Sequence, residues 1–244
     1  MNKNYAIIIE ARSGSRRLKR KILKKINSRT ILEILIDRLI IFFPKSRIII
    51  ATSSKKSDDI ITKIAIKNNI NFFRGSENNL IRRIYLCADK FNIDNIIQLT
   101  SDNPLVDIST IKKLYKIYLK KNCEFATNSH FRTFPKGMDV RIFSKDMLKK
   151  TEKQVPPKKR EHTAYYFLKN YNKIKSYNLR ANIKYDRPDL RLTLDYEADF
   201  LLFKKILKHF KNYKYFNLQK IIKFLDKNPK IRKINSKYDK HYTL

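Results

Sequence analysis

Glycine is almost absent from this chain: three residues in 244, where average usage is about 7%. A chain so poor in glycine should keep it mainly where no other residue fits, at positive φ or where backbone approaches a ligand. The three positions are therefore candidate working turns. Gly14 lies in Ala11-Arg12-Ser13-Gly14-Ser15, just after an apolar run, Gly75 in Phe73-Arg74-Gly75-Ser76, and Gly137 in Pro135-Lys136-Gly137-Met138-Asp139. Cysteine occurs twice, and Cys87 and Cys123 have no metal-ligand spacing, which excludes a cysteine-based metal site. Long apolar runs are missing too. The longest stretch, Ile31 to Phe43, is broken by Glu33, Asp37 and Arg38, so it is not a membrane span. Met1 to Glu10 has too short an apolar core for a secretory signal and no small-residue cleavage site after it. The expected setting is reducing and cytoplasmic, with no membrane partner.

Acidic residues are also scarce, 22 Asp and Glu against 56 Lys and Arg, for a formal net charge of +34. One reading is a polyanionic partner, nucleic acid first among them. The other is the codon bias of an AT-rich genome. That bias explains abundant lysine, isoleucine, asparagine, tyrosine and phenylalanine together with scarce glycine, alanine, tryptophan and proline, whereas nucleic-acid binding explains only the lysines. The lysines run along the whole chain instead of gathering in one arm, so nucleic acid is not the expected partner. On either reading the field favours a small anionic substrate.

What is present is an alternation of strands and helices. Hydrophobic residues make up 42% of the chain, enough for a sizeable core in one large domain or two small ones. Tyr5 to Ile9, Arg47 to Ala51, Asn71 to Phe73 and Asn95 to Thr100 read as short strands. Between and after them, Arg29 to Phe42, a segment capped by Ser57 with Asp58 and Asp59 in its first turn and an end near Asn68-Asn69, Asn78 to Phe91 and Ile108 to Lys120 (capped by Asp107 or Ser109) read as helices. This pattern predicts an α/β fold, a mostly parallel mixed sheet with helices on both faces. Ligands bind at the carboxyl ends of such strands, so the loops after Ile9, Ala51 and Leu99 should open on one edge. The regularity breaks after Asn128. The segment Ser129 to Pro157 holds three of the seven prolines. Met138 to Phe143 reads as a strand, Ser144 to Lys153 and Glu161 to Lys169 as helices, Leu190 to Leu194 as a strand, and Glu197 to about Phe210 as a helix. A basic tail follows, with one amphipathic helix near Leu218 to Leu225.

Three loops hold the chemistry. The first, Ala11 to Lys21, combines Gly14 and two serines with Arg12, Arg16, Arg17, Lys19, Arg20 and Lys21. Backbone N–H groups in such a turn can face phosphate oxygens, and the cations neutralise them. The loop lacks the Walker A and dinucleotide glycine patterns, and a basic solvated loop is the alternative. The second, Thr100-Ser101-Asp102-Asn103-Pro104, sets a carboxylate just beyond a buried strand. Asp102 is a hard donor suited to Mg²⁺; the alternative is a helix cap, a role that Asp107 fits better. The third, Arg191-Leu192-Thr193-Leu194-Asp195, repeats an apolar strand ending in aspartate. Two strand-end aspartates facing a basic phosphate loop suit metal-assisted phosphoryl or nucleotidyl transfer.

The stretch IIIEARSGSRRLKRKIL resembles the opening motif I-x-A-R-x-G-S-x-R-L-P-x-K-x-L of the cytidylyltransferases that activate acidic sugars. It is most similar to the spore-coat polysaccharide branch, related to the acylneuraminate and keto-deoxy-octulosonate enzymes. IIIATSSKKSDD, FFRGSENNLIRR, IIQLTSDNPLVD, TFPKGMDVRIFS, KREHTAYYF and LRLTLDYEADF follow in the family's order, and the resemblance covers roughly residues 5–210. It implies a Rossmann-like nucleotide-diphospho-sugar transferase fold over residues 1–212, with 129–184 for sugar recognition and homodimer contacts and 213–244 as the basic helical tail. It implies catalytic roles for Arg12, Lys21 and Asp102, and nucleotide binding by Ala11, Arg12, Gly14, Ser15, Lys21, Arg74, Gly75 and Gln98. It further implies sugar binding by Arg160, Glu161 and His162, and a Mg²⁺ cofactor on Asp102 and Asp195. For His162 a structural place beside Tyr165 and Tyr166 is the alternative. The chain departs from the motif at Glu10, where glutamine is common, at Lys19-Arg20 before the motif lysine, and at Ser101, where the family carries glycine. The implied reaction transfers CMP from CTP to a sugar acid. The rivals are a sugar 1-phosphate nucleotidyltransferase using another base, a nucleic-acid-binding protein, and an inactive scaffold.

Overall fold

The computed structural model describes residues 4–15 and 17–238. Arg16 of the basic loop, the first three residues and the end of the tail from 239 lie outside the described residues. The strands are β1 Tyr5–Glu10, β2 Lys25–Ile26, β3 Arg29–Thr30, β4 Ile48–Ser53, β5 Asn71–Gly75, β6 Asn95–Thr100, β7 Phe125–Thr127, β8 Arg141–Ser144 and β9 Ser176–Asn178. The main helices are α1 Ile31–Leu39, α2 Asp59–Lys67, α3 Leu80–Lys90, α4 Ile108–Lys120, α5 Lys145–Gln154, α6 Ala164–Lys169, α7 Glu197–His209 and α8 Leu218–Lys227.

Seven strands form one sheet in the order β5-β4-β1-β6-β8-β7-β9. The four strands β5, β4, β1 and β6 are parallel, β8 runs antiparallel to β6 and β7, and β9 is parallel to β7. Ile7 to Ile9 and Ile48 to Ile50 are buried on both faces, as apolar runs in a covered parallel sheet must be. The chain steps outward from β1 to β4 and β5, then returns across β1 to β6. Glu10 pairs with Ala51 on one side and with Thr100 on the other. The crevice beyond β1 and β6 is thus the switch point where such sheets bind ligands. Residues from α1, α2, α4, α7 and α8 pack in one core; residues from α3, α5 and α6 pack in the other. The mostly parallel mixed sheet with helices on both faces is as the alternation predicts.

The differences from the sequence reading have local causes. The helix expected from Arg29 starts at Ile31, because Arg29 and Thr30 pair with Ile26 and Lys25 in the β2–β3 hairpin. Thr30 then closes a capping box with Glu33. Ser57 does not cap α2. It lies within a 3₁₀ turn, Lys56–Asp58, and the Asp58 carboxylate turns back toward the first loop. Asp107 caps α4 by accepting from Thr110 N. The β8 ladder begins at Arg141 instead of Met138. Leu190 to Leu194 is not a strand: it is tied by a single bridge, Lys136 to Arg191, and by Leu194 N donating to the Asp102 carbonyl. With an apolar extended stretch but no ladder partner along its length, it folds as buried irregular chain. α8 places Leu218, Ile221, Ile222 and Leu225 in the same core as β1 and β4.

Asparagine does at helix ends what glycine usually does. Asn69, Asn92 and Asn122 follow α2, α3 and α4 with φ of 55°, 53° and 48°. In each case the next residue's N–H returns to the helix: Ile70 N to Ala65 O, Ile93 N to Ala88 O and Cys123 N to Tyr118 O, at 2.8–3.1 Å. These are Schellman closures with a buried apolar residue at the following position. Asparagine tolerates the left-handed region better than other L-residues.

Candidate active site

The first loop is held at both ends. Ala11 N donates to Ala51 O at 3.1 Å. Ser13 N donates to Asp58 Oδ1 at 2.7 Å, and Ser53 Oγ donates to Asp58 Oδ2 at 2.5 Å. Burial would raise the Asp58 pKa, but the Ser13 and Ser53 donors outweigh it and hold the carboxyl below its ordinary value. Ser15 N turns back to Ser13 O, which leaves Gly14 exposed at the tip with nothing within 4 Å of a built Cβ. Farther on, Arg20 sits at φ 51° and starts the 3₁₀ turn Lys21–Leu23. That turn carries the Lys21 ammonium between two carboxylates: Asp102 Oδ2 at 2.5 Å and Asp195 Oδ1 at 2.9 Å.

Each aspartate reaches this point by its own route. β6 ends at Thr100; Ser101 N donates to Glu10 O and Asn103 N to Thr100 O, a tight turn that leaves Asp102 half-buried at the crevice. Ser101 is not among the residues at positive φ, so the family's glycine is not needed there. Asp195 is held by the buried Arg191, whose Nη2 donates to Asp195 Oδ2 at 3.0 Å and whose Nε donates to Asp199 Oδ1 at 2.8 Å. Asp199 Oδ2 in turn accepts from Asp195 N and Tyr196 N. Asn235 donates to Asp199 Oδ1 and to the Arg191 carbonyl. Arg17 adds an ion pair to Asp195 Oδ1 at 2.6 Å. Burial would raise the Asp195 pKa, but Lys21 and Arg17 push it well below the usual carboxylate range. Burial would lower the Lys21 pKa, and the two aspartates more than reverse this. Lys21 is therefore held as an ammonium between the side chains of Asp102 and Asp195.

This donor set fits a divalent cation. Two carboxylates from different loops converge on one positive charge beside a basic loop, and Mg²⁺ is commonly held by one or two carboxylates plus substrate phosphates. The described residues contain no cluster of three or more Asp, Glu, His or Cys that could hold a metal ion.

The other expected residues divide. Arg12 lies beside Glu161 at 3.6 Å, both about half exposed, and Glu161 Oε1 is 3.7 Å from His162 Nε2. The structure thus brings the 161–162 segment to the rim of the first loop. The adjacent Thr163 Oγ1 donates to Gln98 Oε1 at 2.7 Å, and Gln98 Nε2 donates to Glu10. Gln98 is 1% exposed, and both ends of its amide are bound within the chain. Arg160 is half-buried: its Nε donates to Val155 O, and its carbonyl accepts from Leu80 N and Ile81 N at the start of α3. Arg74 binds the Ser53 and Lys55 carbonyls and Asp59, and Gly75 O accepts from Ser54 N. These two brace the end of β4.

A family profile described as cytidylyltransferase matches residues 6–234. The chain belongs to the cytidylyltransferase family. A solved cytidylyltransferase from Leptospira borgpetersenii is 33% identical, with 95% of this chain and 97% of that one covered and a TM-score of 0.90. An uncharacterized protein of Methanocaldococcus jannaschii is 38% identical over 230 residues, 94% of this chain and 93% of that protein. The spore coat polysaccharide biosynthesis protein SpsF of Bacillus subtilis is 27% identical over 228 residues, 91% of this chain and 94% of that protein. No helix among the described residues of this cytidylyltransferase is long and apolar enough to cross a membrane.

Asp58, Asp199 and Asn235 support the site without having been expected there. Asp58 was legible only as an acid in a helix's first turn, and Asn235 carries no motif. Glu10 is the other surprise. Its pKa is raised by burial, only partly offset by Arg141, Arg83 and the Gln98 amide.

Proposed function

We propose that this cytidylyltransferase transfers CMP from CTP to the anomeric hydroxyl of an acidic sugar and releases pyrophosphate, in a Mg²⁺-dependent reaction serving surface polysaccharide synthesis. The observation that carries the reading is the meeting of Lys21, Asp102 and Asp195 at the β1–β6 switch point. Support also comes from the order of motifs along the chain and from the name of the spore-coat relative.

In this reading the triphosphate enters the first loop. The backbone around Gly14 and Ser15 faces its oxygens, with Arg12 at the rim and Lys21 at the base neutralising charge as it develops. Asp102 and Asp195 would hold a divalent cation, which would supply charge neutralisation and Lewis-acid polarisation of the phosphates. Lys21, poised between the carboxylates, exchanges one of them for phosphate when nucleotide arrives. The sugar hydroxyl attacks the α-phosphorus in line and gives up its proton to water, the bond from the α-phosphorus to the oxygen bridging it to the β-phosphorus breaks, and pyrophosphate leaves. Arg12, Glu161 and His162 border the space left for the sugar, and the 129–184 region supplies the contacts of a homodimer.

The test is pyrophosphate release from each of the four nucleoside triphosphates with Mg²⁺ and a panel of sugar acids. CTP with a sugar acid is the expected pair, and Asp102→Ala and Asp195→Ala should each lower the rate by about 10²-fold or more. Full activity in both variants would remove the metal assignment. Turnover only with a sugar 1-phosphate and another base would replace the substrate assignment.

A further inference from the structure

We infer that the chain carries a second anion site, apart from the aspartate crevice, which takes a small phosphate-bearing molecule with an apolar body. A cavity of about 530 Å³ opens between the Arg20–Lys25 stretch, the β2–β3 hairpin, the start of α1 and one face of α2. Its volume is within the range of small-molecule sites, about 300–1,000 Å³. Lys21 is not part of its lining; Arg20 before it and Leu23 and Lys24 after it are. Five cations surround it: Arg20, Lys24, Lys25, Lys63 and Lys67. The lone carboxylate in the wall is Glu33, buried and already engaged by Thr30 and by Arg29 at 2.9 Å. Lys24 pairs with Glu197, and Lys67 lies 3.7 Å from Glu33. Arg20, Lys25 and Lys63 have no ion pair among the described residues.

The spacing on α2 makes this a face. Ile60, Lys63, Ile64 and Lys67 recur at helical intervals, so cations alternate with apolar side chains along one stripe. Leu23 completes the apolar floor. Charge excess alone would attract any polyanion. A recessed apolar floor inside a ring of cations selects a compact ligand with a phosphate at one end and a ring or chain at the other. A nucleoside monophosphate has that chemistry.

The absence of tryptophan from the chain supplies the reporter. Ile60→Trp places the sole indole on the cavity wall at a position 37% exposed. Titration of full-length Ile60→Trp with CMP should give a saturable fluorescence change. Lys63→Glu with Lys67→Glu should weaken that binding at least tenfold. The same charge change at exposed Lys113 and Lys116 of α4 should not, and neither should Lys21→Met. Inorganic phosphate should bind more weakly than CMP. Calorimetry on the tryptophan-free chain repeats the CMP titration without the indole and should show a saturable component that Lys63→Glu with Lys67→Glu removes, apart from any heat of binding at the aspartate crevice. Absence of both the fluorescence change and that component would overturn the inference. So would equal weakening by the α4 pair, loss of binding in Lys21→Met, or phosphate binding as tightly as CMP. The proposed reaction is tested separately by pyrophosphate release, so either result can fail alone.

Discussion

At the residue scale the three glycines have different physical reasons to exist. Gly137 has φ +102°, and a Cβ there would lie 2.1 Å from the Leu192 carbonyl oxygen. It lets the 135–138 turn press against the segment that ends in Asp195. Gly137→Ala should therefore destabilise the fold by about 2–5 kcal/mol in urea unfolding. Gly14 has open space around it and no left-handed φ, so its value lies in access. Gly14→Ala should change stability by less than about 1 kcal/mol while weakening triphosphate binding, measured by calorimetry. Gly75 is between these cases: its Cβ would meet the side chains of Phe73 and Arg83. Glu10 gives a pH-dependent prediction. Its folded pKa is raised above the ordinary glutamate value of 4.5, so folding is opposed by its ionisation once pH exceeds 4.5. Glu10→Gln should stabilise the protein at pH 7–8, with a gain that shrinks toward pH 4, read from unfolding free energies across that range. The glutamine of the family motif lacks this cost because it does not ionise.

At the element scale the helix ends show how a glycine-poor chain closes its helices. The three Schellman closures need a left-handed residue, and asparagine fills each. Asn92→Gly should stabilise by about 0.5–1 kcal/mol, and Asn92→Val should destabilise by about 1–2 kcal/mol, since a β-branched residue resists that region. Thermal melts of the two variants check the sign. The strands with both faces covered, β1, β4 and β6, were legible because continuous isoleucine runs have few other uses. Asp107 at the start of α4 was legible because side-chain capping is local. Leu190 to Leu194 was not legible as irregular chain: its apolar alternation satisfies a strand pattern, and only the absence of a ladder neighbour decides otherwise. Ser57 and Asp58 were misassigned for a similar reason. Local pattern makes them a cap and a first-turn acid, whereas the Asp58 carboxylate is drawn to Ser13 and Ser53 from other elements.

At the scale of the whole molecule the site depends on parts distant in sequence. Lys21 meets Asp102 and Asp195 across 81 and 174 residues, and Asn235 reaches back 36 residues to hold Asp199. The last segment is thus part of the site's support. A chain ended at residue 212 loses the core residues of α8 and the Asn235 hydrogen bonds, and it should lose cooperative unfolding by circular dichroism; a truncated form with the full-length midpoint would contradict this. The sequence by itself determined the alternation of elements, the ordered motifs and the chemical types in each loop, because these depend on periodicity and on side-chain chemistry within a few residues. Only the tertiary structure decided that Lys21 bridges the two aspartates, that Gln98 is bound internally at both ends, and that Arg160 and Arg74 brace neighbouring loops. Those outcomes depend on strand order and on competition among many cations for few carboxylates. A chain with 56 basic and 22 acidic residues leaves that competition open until the fold sets which charges lie within reach.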